Sequence, residues 1–234
     1  MVRFYKKKNV ASNYDEKRFT GQGGQIIKER ENRIVLDLLG DIEGKKILDL
    51  GAGTCRYSIA FAEQGAEVTA LDISQEMLDK GRAKAKEAGV ESNIEFVKGD
   101  AMNTEYKDES FVIVTALRIF HLVDDIKALA EEMKRLTRDR VLFDFFHLWS
   151  LRIFYNKFLP MNSKLRRKRK MKKLLTRKGF YDVELRKDFF IPYGCYRFSP
   201  KPLPKFYKKL DYLARKLSPS RRASSVVYIT GRKS

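Results

Sequence analysis

The 234-residue chain has two cysteines, Cys55 and Cys195, and two histidines. A disulfide framework needs more thiols at short spacings, and a structural metal needs them clustered with imidazoles. The expectation is therefore a metal-free chain in a reduced, cytoplasmic setting. Long hydrophobic runs are also missing. The longest apolar stretch, Val141 to Trp149, carries Asp144 and His147, and the basic start Met1 to Lys8 has no apolar core behind it. Nothing reads as a membrane span or a secretion signal. Acidic charge is scarce in the last third. Residues 151–234 hold 25 Lys and Arg against Asp182, Glu184, Asp188 and Asp211, net +21, whereas residues 1–150 hold 24 against 26, net −2. Such a field attracts polyanions, either nucleic acid or an anionic membrane. A lysine-rich thermophile surface would instead spread its cations and pair them with carboxylates.

What is present is a globular composition, 43% hydrophobic and 34% charged, long enough for one or two domains of ~150 residues. Lys46–Leu50, Glu67–Asp72, Asn93–Val97, Phe111–Leu117 and Arg140–Phe146 read as strands. The spacing predicts helices over 54–64, 74–88 and 125–138, with Ser74 as an N-cap and Gly65 and Gly89 as stops. Strands alternating with helices imply right-handed βαβ units and a parallel sheet covered on both faces, an α/β Rossmann-like fold. Beyond it come an aromatic segment from Leu148 to Leu159 and a basic helix over 162–178. Strands over 181–190 and 225–230 follow, with an amphipathic helix over 205–217 between them. One domain over 1–234 is expected, with an N-terminal lid and helix in 1–40 and basic, aromatic substrate-binding additions in 147–178 and 191–222.

Asp49-Leu50-Gly51-Ala52-Gly53-Thr54-Cys55-Arg56 stands where an open α/β sheet binds its ligand, at a strand's carboxyl end and a helix start. A dinucleotide loop needs a third glycine where Arg56 stands, so the occupant is a nucleotide-like cofactor without a pyrophosphate. Together with acidic Asp72 ending the second strand and Gly99-Asp100-Ala101 after the third, the pattern resembles the class I S-adenosylmethionine-dependent methyltransferases over about residues 40–190. The resemblance implies a doubly wound, seven-stranded, mostly parallel sheet with an antiparallel last strand, and S-adenosylmethionine as cofactor. It implies that Gly51 and Gly53 admit the methionine part, Asp72 accepts the ribose hydroxyls, Ile73 packs on adenine and Asp100 takes its amino group. Asp49, Ala52, Ala101, Met102 and Leu117 complete the cofactor set. Tyr14 and Arg18 lie in a stretch similar to the cofactor lid of small-molecule methyltransferases. Cys55 departs from the family's further glycine. Each residue also has an ordinary role open to it: a tight turn for the glycines, an N-cap or turn for the aspartates.

The methyl acceptor belongs near Thr115 to Leu122. No Asn/Asp-Pro-Pro-aromatic motif and no Pro-Cys nucleophile is present there. His121 and Arg118 are the catalytic candidates, His121 as a general base or as a packed strand-end residue. Arg118 also follows the fourth strand much as an arginine does in quinone C-methyltransferases. Weighing the basic segments against sparse apolar partners, the sequence favours RNA. The expected reaction is methylation of a ribosomal or transfer RNA base, with an exocyclic amine such as cytidine N4 as the leading target. Phe120, Phe146 and Trp149 would stack the base, and Arg166, Arg167, Lys168 and Arg169 would hold phosphates. The alternative is a quinone, lipid or other small-molecule methyltransferase docked on an anionic membrane, with the aromatic 148–159 segment making contact. A protein methyltransferase and a non-catalytic RNA-binding protein come after it.

Overall fold

β-branched and leucine-rich runs placed between glycine turns build a central sheet, seen in a computed structural model that describes residues 20–150, 164–216 and 224–233. In chain order the elements are α1 (Gly21–Leu39), β1 (Lys46–Leu50), α2 (Arg56–Ala62), β2 (Glu67–Asp72), α3 (Gln75–Glu87), β3 (Ile94–Lys98), β4 (Phe111–Ala116), α4 (Ile126–Leu136), β5 (Thr137–His147), β6 (Leu165–Arg166), α5 (Lys168–Arg177), β7 (Phe180–Asp188), α6 (Tyr193–Phe198), α7 (Leu203–Lys216) and β8 (Val226–Lys233). The sheet runs β3-β2-β1-β4-β5-β8-β7, with the two-residue β6 paired beside β5 off this path. Strands β1 to β5 are parallel, and β8 is antiparallel to both β5 and β7. This is the doubly wound, mostly parallel arrangement with an antiparallel last strand.

Period-two alternation splits the core into two layers. Ile47, Val68, Ala70, Ile113, Leu142 and Tyr228 pack against α1, α2, α3 and α6, while Leu48, Leu50, Val114, Val141, Phe143 and Ile229 pack against α4 and α5. Strands buried on both faces account for the unbroken apolar runs of β4 and β5. Helix starts follow their caps. Ser74 Oγ accepts from Met77 N at 3.4 Å, and Asp125 Oδ1 accepts from Lys127 N and Ala128 N at 2.9 and 3.0 Å.

Several boundaries differ from the sequence expectation, each for a local reason. The basic helix begins at Lys168 because Leu165 and Arg166 pair with Phe146 and His147 instead. Its cations do face outward: Arg169, Lys170, Lys172 and Lys173 are exposed, and Met171 and Leu175 are buried. β5 starts at Thr137, directly off the last turn of α4, with no intervening loop. α2 is short because Cys55 adopts a left-handed φ of 58° and blocks an earlier start. The six-residue α6 has too few turns to show a period. Tyr14, Arg18, Arg221, Arg222 and residues 151–159 of the aromatic segment lie outside the described residues.

α1 is tied down by charge as well as by Ile27, Ile34, Val35 and Leu38. Arg30 pairs with Asp188 at the end of β7 and, at 2.6 Å, with Asp211 of α7, which also accepts from Tyr196 Oη at 2.7 Å. Removing the shared cation leaves two buried carboxylates uncompensated. Arg30→Met is expected to cost about 3–5 kcal/mol, read as a lowered urea midpoint at unchanged slope.

Candidate active site

The carboxyl ends of the parallel strands meet in one cleft, because the helices that follow each strand leave from the same edge. Its empty space is about 1190 Å³, open mouth included. Gly51 to Thr54 after β1, Asp72 and Ile73 at the end of β2, Gly99 to Met102 after β3, and Leu117 to Ile119 after β4 all line it. Arg56 and Tyr57 of α2, Met77 of α3, Leu122 and Val123, and Arg197 of α6 complete the wall.

The glycine loop folds onto the second strand. Gly51 N and Ala52 N both donate to Leu71 O, at 2.8 and 3.0 Å, and Gly53 N donates to Asp72 Oδ2 at 2.8 Å. Asp72 Oδ1 accepts from Ser74 N at 2.9 Å, so both carboxylate oxygens are oriented by backbone amides, with the Ile73 amide contributing as well. Burial raises the Asp72 pKa from its ordinary value, against those amides. Asp100 Oδ1 accepts from Met102 N at 2.9 Å. Gly51 has a left-handed φ of 72°, and a Cβ there would stand 2.7 Å from Ile119 Cδ1. The left-handed backbone is what calls for glycine there, since the Ile119 methyl could shift aside.

The structure brings together Gly51, Ala52, Gly53, Asp72, Ile73, Asp100, Ala101, Met102, Leu117 and Arg118 on the cleft wall. Asp49 lies behind it, with Oδ2 accepting from Ser58 Oγ at 2.7 Å and Oδ1 from Thr115 Oγ1 at 2.8 Å. Burial pushes this carboxyl up to about 6, against both hydroxyls. His121 is buried off the cleft, its ring 4.7 Å from that of Phe146 and its carbonyl accepting from Lys164 N. Phe120 stacks on Phe143 at 3.9 Å in the core, and Phe146 lies beneath the Arg118 guanidinium. Trp149 is 66% exposed and, like Arg167, Lys168 and Arg169, is not part of the cleft wall. Arg166 reaches the wall indirectly, donating to Val123 O at 3.0 Å.

Sequence reasoning missed a buried charge network on the cleft. Glu31 of α1 takes Arg56 at 2.8 Å and Tyr193 Oη at 2.5 Å, and Arg118 approaches Glu31 at 3.7 Å and Asp144 at 3.4 Å. Burial would lift the Glu31 pKa, but Arg56 and Arg118 outweigh it and hold the carboxylate ionised. Burial would likewise lower that of Arg118, yet Glu31, Tyr193 and Asp144 keep it well above the ordinary arginine range. The signal was a glutamate on the apolar stripe Ile27, Ile34, Val35, Leu38. Tyr57 also lines the cleft, while its hydroxyl is buried and without a hydrogen-bond partner among the described residues.

Cys55, the departure from the family's glycine, is accommodated by α3. It is fully buried, and a Cβ on Gly81 would stand 2.3 Å from its Sγ. Burial pushes the thiol well above the ordinary range, which leaves it inert as a nucleophile.

Residues 47–140 match the family model described as a methyltransferase domain. The demethylmenaquinone methyltransferase of Renibacterium salmoninarum is 34% identical over 130 residues, covering 56% of this chain and 52% of that protein. The demethylmenaquinone methyltransferase of Paenarthrobacter aurescens is 37% identical over 131 residues, covering 56% and 48%. The chain thus spans about half the length of these curated relatives. Among solved structures, magnesium protoporphyrin IX methyltransferase from Synechocystis with bound SAH superposes with a TM-score of 0.70 at 18% identity, covering 100% of this chain and 98% of that one.

These findings overturn the expected RNA acceptor, whether ribosomal or transfer RNA, and with it the role of an RNA-binding partner. The relatives are named for a quinone, a small molecule. The physical reason lies in what the expectation rested on. Net positive charge attracts any polyanion alike, and two of the three rings expected to stack a base are buried in the core.

Two measurements test the site's construction. Gly81→Ala is expected to destabilise by about 1–3 kcal/mol through overpacking against Cys55, and Cys55→Gly in the same chain should recover most of that loss, giving a coupled double-mutant cycle. For Asp49 the folded chain binds the proton more tightly than the unfolded one, so stability falls as pH rises from about 4 to 6 and is level above. Relative to wild type, Asp49→Asn should therefore gain on the order of 3 kcal/mol between pH 4 and 7 in denaturation curves.

Proposed function

We propose that this chain, which carries a class I S-adenosylmethionine-dependent methyltransferase domain, transfers a methyl group to a ring carbon of a quinone-class small molecule. The observation that carries this reading is one cleft with two dissimilar sets of lining residues. After β2 and β3 come Asp72 and Asp100 with Leu71, Ile73, Met77 and Met102, and after β4 come Leu117, Ile119, Leu122 and Val123 with Arg118. The first set suits a nucleoside, with acceptors for ribose hydroxyls and an adenine amine and an apolar wall for the ring. The loop glycines add backbone close to the ligand. The second set suits a flat apolar ring bearing an oxygen. The names of the curated relatives support the same acceptor class.

When bound, S-adenosylmethionine supplies an electrophilic methyl group. The chain's part is to hold the acceptor ring against that group and to favour the ring form whose carbon is nucleophilic. Ionising a ring hydroxyl does this by pushing electron density into the ring; that proton passes to solvent, and the carbon that takes the methyl then gives up its own hydrogen as a proton to restore the aromatic ring. Arg118 stays charged between Glu31 and Asp144, so it is placed to stabilise the ionised oxygen without rearrangement. The left-handed backbone of Arg118, φ 65°, is secured by its amide donating to Asp144 Oδ1 at 2.5 Å. The remaining acceleration comes from proximity and alignment.

The test supplies purified protein with labelled S-adenosylmethionine and a reduced demethylated naphthoquinone. A methylated quinone is the expected product. Asp72→Ala should weaken cofactor binding by at least about tenfold in calorimetry in a chain that still unfolds cooperatively. Cofactor binding without quinone methylation would reject the acceptor, and an unchanged affinity in Asp72→Ala would reject the cofactor site.

A further inference from the structure

Helix α7 has three faces. Pro204, Tyr207, Asp211 and Ala214 turn toward the protein, and Asp211, the one acidic residue of the helix, is fully buried on Arg30. Beside that face Leu203, Phe206, Leu210 and Leu213 follow one another at three- and four-residue spacing, yet remain 38–53% exposed. Phe198, which ends α6, is 78% exposed. Six of the eight large hydrophobic residues exposed among the described residues lie on α6 and α7: these five and Tyr212. Exposed Lys205, Lys208, Lys209 and Lys216 form the third face.

An apolar strip bordered by lysines, with no carboxylate turned outward, is complementary to a surface that is anionic outside and apolar beneath. A nucleic-acid backbone would satisfy the lysines and leave Phe206, Leu210 and Leu213 in water. A second copy of this chain would bring its own lysines against these. No helix among the described residues is long and apolar enough to cross a membrane, so the contact would be a docking one.

We propose that the α6–α7 strip docks the protein on an anionic lipid bilayer. Phe198, Leu203, Phe206, Leu210 and Leu213 enter the acyl boundary while the lysines meet the headgroups. Arg197, the residue before Phe198, lines the cleft, so docking sets the bilayer beside the active site. The use of this arrangement rests on the quinone reading, since a lipid-soluble acceptor is drawn from the bilayer; the docking itself does not depend on it.

Flotation with vesicles of phosphatidylcholine alone, or mixed with phosphatidylglycerol, tests the proposal. Wild type should float with the anionic vesicles only, and less so at high salt. F206S/L210S/L213S and K205E/K208E/K209E should each lose about tenfold or more in vesicle affinity, with the chain still folded and cofactor affinity unchanged. Failure of wild type to float, or equal flotation of either variant, overturns the proposal. It is also overturned if sedimentation shows a dimer that the serine variant dissociates, or if the variants lose RNA binding while wild type ignores vesicles. A water-soluble short-chain quinone assayed without lipid separates the two readings. Flotation without methylation rejects the acceptor alone, and methylation without flotation rejects the docking alone.

Discussion

A carboxylate withdrawn from water has to be met by cations and hydroxyls, and Glu31 imposes that requirement on four elements at once. Arg56 at the start of α2, Arg118 after β4, Tyr193 of α6 and Tyr228 of β8 all converge on it. Losing Arg56 or Arg118 would leave charge uncompensated in a low-dielectric interior, where the penalty is several kcal/mol. The elements are therefore fixed relative to one another along the cleft wall. Arg118 stands on the cleft wall because Glu31 and Asp144 hold it there.

Arg30, the next residue of α1, performs the equivalent task for the C-terminal helices. Its guanidinium sits over the Phe189 ring at 4.3 Å and gathers Asp188 and Asp211. One helix thus joins the catalytic wall through Glu31 and the α6–α7 layer through Arg30. The position of Arg197, which belongs to both, depends on the two networks together.

The basic final third divides into two unlike surfaces. α5 exposes Arg169, Lys170, Lys172 and Lys173 with Met171 and Leu175 turned into the core, so its outer face is charged alone. α7 pairs its lysines with an apolar strip. A charge count sees both as the same field, and long-range electrostatics does not distinguish RNA from anionic lipid. The distinction comes from short-range apolar contacts, which depend on which side chains remain exposed.

The sequence by itself determined the alternating sheet, its strand-end glycine loop and the residues Gly51, Gly53, Asp72 and Asp100, because these rest on local periodicity and on turn chemistry a few residues long. It also contained the cap at Ser74. Tertiary structure alone decided what crosses the chain. Gly81 makes room for Cys55 from the next helix, Glu31 meets Tyr228 across 197 positions, and the strand β6 replaces a helical turn by pairing with β5. It also decided that Phe120 and His121 turn away from the cleft while Arg118, among the same few residues, lines it. Direction at a strand end depends on the backbone angles of a turn and on the partners around it, and neither is written in the spacing of apolar residues.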